Sequence, residues 1–99
     1  MAEVLDTAQV QAALTGLTDW AGDTTAITRT VSLATFPDAI AVVTRVAMAA
    51  EEMDHHPDMD VRWRTVHFTI STHSRGGVTS LDLELAARID AAAADIGAA

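Results

Sequence analysis

Apolar side chains near the start of the chain recur at helical spacing, at Val10, Ala13, Leu14 and Leu17. Asp6 and Gln9 stand ahead of them at capping-box spacing, and Leu5 and Val10 are placed to close a hydrophobic staple around that cap. Gly16 is positioned to end this helix in the left-handed conformation. A short strand around Trp20 follows, with a turn at Gly22-Asp23. From Ile27 the period changes to two: Ile27, Val31 and Leu33 share one parity, and Thr28, Thr30 and Ser32 share the other. This alternation predicts a half-buried strand, with Arg29 as the exception on the apolar side. Thr35-Phe36-Pro37-Asp38 then opens a long helix. Thr35 can cap it, Pro37 loses nothing by lacking an N–H in the first turn, and Asp38 faces the positive end of the dipole. Phe36, Ile40, Val43, Ala47 and Ala50 form its predicted apolar stripe, widened by Val42, Val46, Ala49 and Met53, and the helix is expected to be deeply packed. It should run to about Met53 and end before His56, because Pro57 disfavours helical geometry at the residue before it.

Residues 59–72 switch parity. Met59, Val61 and Trp63 are odd, whereas Val66, Phe68 and Ile70 are even, so one straight strand would send the two sets to opposite faces. A two-residue turn at Arg64-Thr65 resolves the conflict by pairing Trp63 with Val66 and Val61 with Phe68. The polar parity of the second strand, His67, Thr69, Ser71 and His73, then stands away from the core. Gly76-Gly77 marks a loop, and Thr79 caps a last helix in which Leu81, Leu85 and Ile89 recur every four residues. The order helix, strand, strand, helix, strand, strand, helix predicts an α+β fold: a four-stranded antiparallel sheet with three helices on one face.

The 99 residues fit a single domain spanning 1–99, with no internal repeat or linker. At 49% hydrophobic and 20% charged, the chain has the composition of a folded globule. Its net charge of −8, with every basic residue an arginine, offers no basic footprint for nucleic acid and disfavours an anionic membrane surface. There are no cysteines, which suits a reducing compartment. The first ten residues lack the basic start and apolar core of a signal peptide, and no apolar run approaches the ~20 residues of a membrane span. A cytoplasmic location is expected.

Candidate chemistry concentrates in Glu51-Glu52-Met53-Asp54-His55-His56-Pro57, followed by Trp63, His73 and Asp82. Two histidines sit where a long helix stops, next to its partial negative charge and to Glu51, Glu52, Asp54 and Asp58. These neighbours favour a charged imidazole, and burial opposes it. An imidazole that exchanges protons near neutrality can both donate and accept in one cycle. Each residue also has a plainer reading. His-His-Pro serves equally as a polar helix exit, His73 as a solvated strand end, Asp82 as an acid supporting the helix behind Thr79, and Trp63 as a cross-strand core partner. A zinc site is a third reading of the histidines, but adjacent residues point in diverging directions and no His-Glu-x-x-His spacing is present. Cysteine nucleophile, phosphate loop and nucleophile elbow are all missing.

The order of these residues resembles the pterin-4a-carbinolamine dehydratase family. Glu51, three residues, His55-His56-Pro57, five residues, Trp63, nine residues, His73 and then Asp82 reproduce the family's pattern. Thr44-Arg45-Val46-Ala47, Asp54, Val66-His67 and Ser71-Thr72-His73 extend the likeness, and Trp20 and Phe36 fall at family-like places. The acidic Asp58-Met59-Asp60 departs from it. The resemblance implies a lyase that dehydrates 4a-hydroxytetrahydropterin to quinonoid dihydropterin in tetrahydropterin recycling. It implies His55 and His73 as general acid and base, His56 orienting the pterin, Glu51, Asp54 and Asp82 supporting the histidines, and Trp63 nearby. No cofactor and no metal are implied, and the partners would be the pterin and further copies in a homodimer or homotetramer. The alternative is a pterin-binding or protein-dimerisation module without turnover.

Overall fold

The computed structural model describes residues 3–99. Its elements are α1 (Thr7–Gly16), β1 (Ala21–Gly22), β2 (Ile27–Ser32), α2 (Phe36–Met53), β3 (Asp58–Arg62), β4 (Thr65–Ile70), a 3-10 turn (His73–Arg75) and α3 (Ser80–Ile96). The strands form one antiparallel sheet in the order β1-β2-β4-β3, which is the α+β arrangement expected. Ile27 and Val31 of β2 and Val66, Phe68 and Ile70 of β4 are buried on its inner face, with Met59 and Val61 of β3 packed beside them. Ala39, Val42, Val46 and Ala50 of α2 and Leu85, Ala86, Ile89 and Ala93 of α3 cover that face, and Val10 of α1 joins the same core. Each large aliphatic or aromatic side chain sealed there contributes about 1.5–3 kcal/mol.

The helix caps follow their sequence signals. Asp6 accepts from Gln9 N–H and Gln9 reciprocates to Asp6 N–H, closing the capping box. Thr35 accepts from Asp38 N–H at 3.2 Å. Gly16 is the last residue of α1, but the left-handed conformation expected there is absent: Leu17 closes the helix at φ −114. Arg29, the exception in β2, lies on the inner parity and carries its guanidinium to Asp90, with Asp19 also in range. Trp20 Nε1–H donates to the same Asp90 oxygen at 2.8 Å.

Besides Gly16, two larger expectations need correction. The first is the face of α2. The buried stripe is Ala39, Val42, Val46 and Ala50, whereas Phe36 is 48% exposed, Ile40 41% exposed, and Ala47 and Met48 also face solvent. The helix has apolar residues around more of its circumference than one sheet covers, so periodicity alone selected the wrong centre. The second is the β3–β4 register. Arg62 pairs with Thr65, Val61 with Val66 and Met59 with Phe68, so the turn is Trp63-Arg64 rather than Arg64-Thr65. Both registers put Val61 and Val66 on the core face, which is why parity could not separate them. Trp63, expected opposite Val66, instead occupies the first turn position at φ 54 and is 73% exposed, with the Arg64 guanidinium 5.3 Å from its ring. The turns that two-residue hairpins favour take positive φ at that position.

The corrected register makes a stability prediction. Trp63→Asn places a residue that tolerates positive φ in the turn and removes no core contact, so its urea unfolding free energy should stay within about 0.5 kcal/mol of the parent or exceed it. A loss of about 3–5 kcal/mol, the cost of emptying a buried tryptophan position, would restore the core-partner placement.

Candidate active site

α2 stops because Asp54 adopts the left-handed conformation (φ 49, ψ 45). Its N–H reaches back to the carbonyls of Ala50 and Glu51, and His55 N–H donates to Ala50 O at 3.0 Å, so the last turn is closed by the two residues after it. This closure turns the chain sharply. His55 goes inward and is 8% exposed, while His56 goes outward. His56 Nε2–H donates to Glu51 Oε1 at 2.8 Å across the helix end, and both groups are open to solvent.

The inward histidine meets Asp82. His55 Nε2 lies 2.6 Å from Asp82 Oδ1, and Asp82 is fully buried, at 0% exposure. Asp82 Oδ2 accepts from Thr79 N–H and from the Thr72 hydroxyl, each at 2.8 Å. A backbone N–H can only donate, so donors surround this carboxylate, and an ionised Asp82 is the form they satisfy. His55 then carries its proton on Nε2. Among the described residues no protein group bonds His55 Nδ1, so this nitrogen is the one left for a ligand or for solvent. The Thr79 bond belongs to a second device. Thr79 and Asp82 form the capping box of α3, so one carboxylate both starts a helix and holds an imidazole.

His73 begins the 3-10 turn directly after Thr72 and is exposed. It was expected as an outward residue at the strand end. β4 instead stops at Ile70, and a Thr72↔Gly77 bridge starts a tight loop that carries it. Because Asp58 at the start of β3 pairs with Thr69 near the end of β4, the segments bearing His55, His56 and His73 stand at one end of the hairpin. Asp82 ties that end together, bonded on one side to His55 and on the other to Thr72, the neighbour of His73. Trp63 does not join them. It occupies the opposite end, five residues beyond Asp58, which is about 16 Å along an extended strand. Within one chain, the fold pairs His55 with Asp82 and His56 with Glu51, places Asp54 at the bend and His73 on the exposed loop after Thr72, and leaves Trp63 apart. Among the described residues, no group of three or more His, Asp or Glu side chains is arranged to hold a metal ion.

Thr72 and Thr79 complete the arrangement. Thr79 was expected as a helix cap, and its link to the histidine was not foreseen. Thr72 was not singled out as a site residue, although a signal was present. It continues the apolar parity Val66, Phe68, Ile70, and a hydroxyl at an inward position must find a buried partner.

The chain, site residues included, matches known proteins over most of its length. Residues 3–92 match the family model described as Pterin 4 alpha carbinolamine dehydratase. A provisionally named pterin-4-alpha-carbinolamine dehydratase from Nocardia farcinica is 54% identical over 88 residues, 89% of this chain and 93% of the relative. One from Roseiflexus castenholzii is 47% identical over 90 residues, 91% of this chain and 97% of the relative. Among solved structures, one described as a transcriptional coactivator/pterin dehydratase from Brucella melitensis superposes with a TM-score of 0.87 at 34% identity, covering 90% of this chain and 97% of that one. A pterin dehydratase-like protein identified as a RuBisCO assembly factor in the alpha-carboxysome has a TM-score of 0.62 at 21% identity, covering 75% and 86%, and shares the fold alone. With the fold, the residue pattern and the similarity along nearly the whole chain in agreement, the protein belongs to the pterin-4a-carbinolamine dehydratase family.

Proposed function

We propose that the chain is an active dehydratase, removing water from a 4a-hydroxytetrahydropterin at the histidine end of the β3–β4 hairpin. The observation that carries this reading is the buried His55–Asp82 pair, joined through Nε2 and leaving Nδ1 bonded to no other described residue. A carboxylate that fixes one nitrogen of an imidazole and leaves the other free is a means of aiming a proton donor or acceptor. In the reaction the C4a–oxygen bond breaks, the hydroxyl leaves as water after taking a proton, and N5 gives up its proton as the N5–C4a double bond forms. One acid and one base are required, and each contributes about 10²–10⁴-fold when positioned. We assign these tasks to His55 and His73, whose segments stand at the same end of the hairpin. His56, held outward by Glu51, orients the pterin. Asp54 supplies the bend that separates the two adjacent histidines. Trp63 takes no part in the site of its own chain.

Self-association belongs to the same reading. Phe36, Ile40 and Met48 lie exposed on one helix of a small protein, an apolar surface that a second copy would cover. A pterin-binding or dimerisation module without turnover is the competing reading, and the activity measurement separates the two.

Two expectations follow. In a coupled hydroxylase assay monitored by ultraviolet absorbance, the protein should accelerate decay of the 4a-carbinolamine. His55→Ala and His73→Ala should each lower kcat by about 10²-fold or more, and His56→Ala should act mainly on KM. Decay at the uncatalysed rate with tight pterin binding would instead make the chain a binding module, and equal activity in all three variants would remove the acid–base assignment. In sedimentation equilibrium the protein should have twice or four times the mass of one chain, and Ile40→Glu should lower it. A parent protein that sediments as a monomer would contradict the association.

A further inference from the structure

Thr72 is buried, and its hydroxyl touches two groups, Thr79 Oγ1 at 2.7 Å and Asp82 Oδ2 at 2.8 Å. The direction of these bonds is determined by counting protons. Asp82, as a carboxylate, can only accept, so the Thr72 proton goes to Asp82. Thr79 must then donate its own proton to Thr72, and its oxygen is free to accept from Leu81 N–H at 3.2 Å. The result is a one-way chain from Leu81 N–H through Thr79 and Thr72 into Asp82, with His55 Nε2–H on the far oxygen. Every proton in it has one acceptor, and none can be reversed without leaving a buried donor unpaired.

We propose that Thr72 is a positioning residue for the dehydration: by holding Asp82 Oδ2, it keeps the proton of His55 on Nε2 and makes Nδ1 the nitrogen that exchanges protons with the pterin. The inference rests on the dehydratase reading for its effect on rate, but not for its effect on the imidazole. Without the Thr72 hydroxyl, Oδ2 keeps only Thr79 N–H, the carboxylate is free to rotate, and Nε2–H loses its aligned acceptor. The Thr79 hydroxyl loses its acceptor as well.

Thr72 also ties the second histidine to the same frame. Its N–H donates to Gly77 O at 2.9 Å, and its carbonyl accepts from Arg75 N–H and Gly76 N–H at 2.9 and 3.0 Å. The loop it closes carries His73 and packs tightly. A Cβ on Gly77 would lie 2.6 Å from the carbonyl oxygen of Thr24. The side chain of Thr72 therefore sets the imidazole of His55 while its backbone sets the place of His73. Replacing only the side chain separates these two effects.

The test compares Thr72→Val, which keeps the shape and loses the hydroxyl, with Thr72→Ser, which keeps the hydroxyl. Nitrogen-15 correlation spectra of the imidazoles, recorded at a pH where the rings are neutral, report the tautomer directly. The parent should give a single Nε2–H form for His55, and the valine variant a mixture of both tautomers. In the carbinolamine assay kcat should fall roughly tenfold in the valine variant, with KM within about twofold, as expected for losing one hydrogen bond to a charged group that acts through another residue. Thr72→Ser should restore both readings. Thr72→Ala removes the hydroxyl without placing a methyl against the carboxylate, and carries the same expectations if valine prevents folding. A single Nε2–H tautomer in the variants lacking the hydroxyl overturns the proposal, as does a mixed tautomer with unchanged kcat. If the parent itself proves inactive, the dehydratase reading fails, and the tautomer comparison still decides whether Thr72 positions His55.

Discussion

A carboxylate sealed from water must be matched by donors, and much of this molecule is arranged to supply them to Asp82. Leaving even one such group unmatched costs about 1–3 kcal/mol, and more when it is charged. The donors come from three separate parts of the chain: the residue after the α2 cap, the segment just beyond β4, and the N-cap of α3. Satisfying Asp82 therefore requires that the helix end, the sheet end and the second helix meet at one point. The same requirement sets a histidine in one orientation with one nitrogen open. Asp82 closes the capping box of α3 and holds His55 at once, so under the proposed function structure and chemistry share a single constraint.

Most of the architecture was legible in the chain. Caps at Asp6, Thr35 and Thr79 are local devices whose partners lie three residues away, and each forms as spaced. The alternation in β2 and β4 is equally direct, because a strand with one wet face must alternate. The misreadings lie where a pattern has two solutions. α2 is apolar around much of its surface, and the choice between Val42 and Ile40 as its centre depends on where the sheet lies. The hairpin had two registers with the same core parity, and a tryptophan looked like a better core partner than a turn residue. The observed register places Val61 opposite Val66 and Met59 opposite Phe68 and leaves Trp63 in the turn at φ 54, an arrangement that parity cannot distinguish from its alternative.

The site divides along the same line. Glu51, His55, His56, His73 and Asp82 were marked by spacing, and the fold gathers them at one end of the hairpin. The two adjacent histidines point apart, as neighbours must, and the left-handed Asp54 decides which of them is buried. Thr72 belongs to the family-like stretch Ser71-Thr72-His73, but only its parity with Val66, Phe68 and Ile70 marks it as an inward hydroxyl in need of a partner. Trp63 shares the pattern but not the place, since a hairpin carries its turn away from its ends.

Under the proposed function the pterin lies beside His55, His56 and His73, at the far end of the hairpin from Trp63. Titrating the protein with a 7,8-dihydropterin while following the imidazole and indole resonances tests this placement in one experiment. Saturable shifts of His55 and His73, with the Trp63 indole unmoved, are the predicted result. Shifts centred on Trp63, with the histidine rings unchanged, would contradict it.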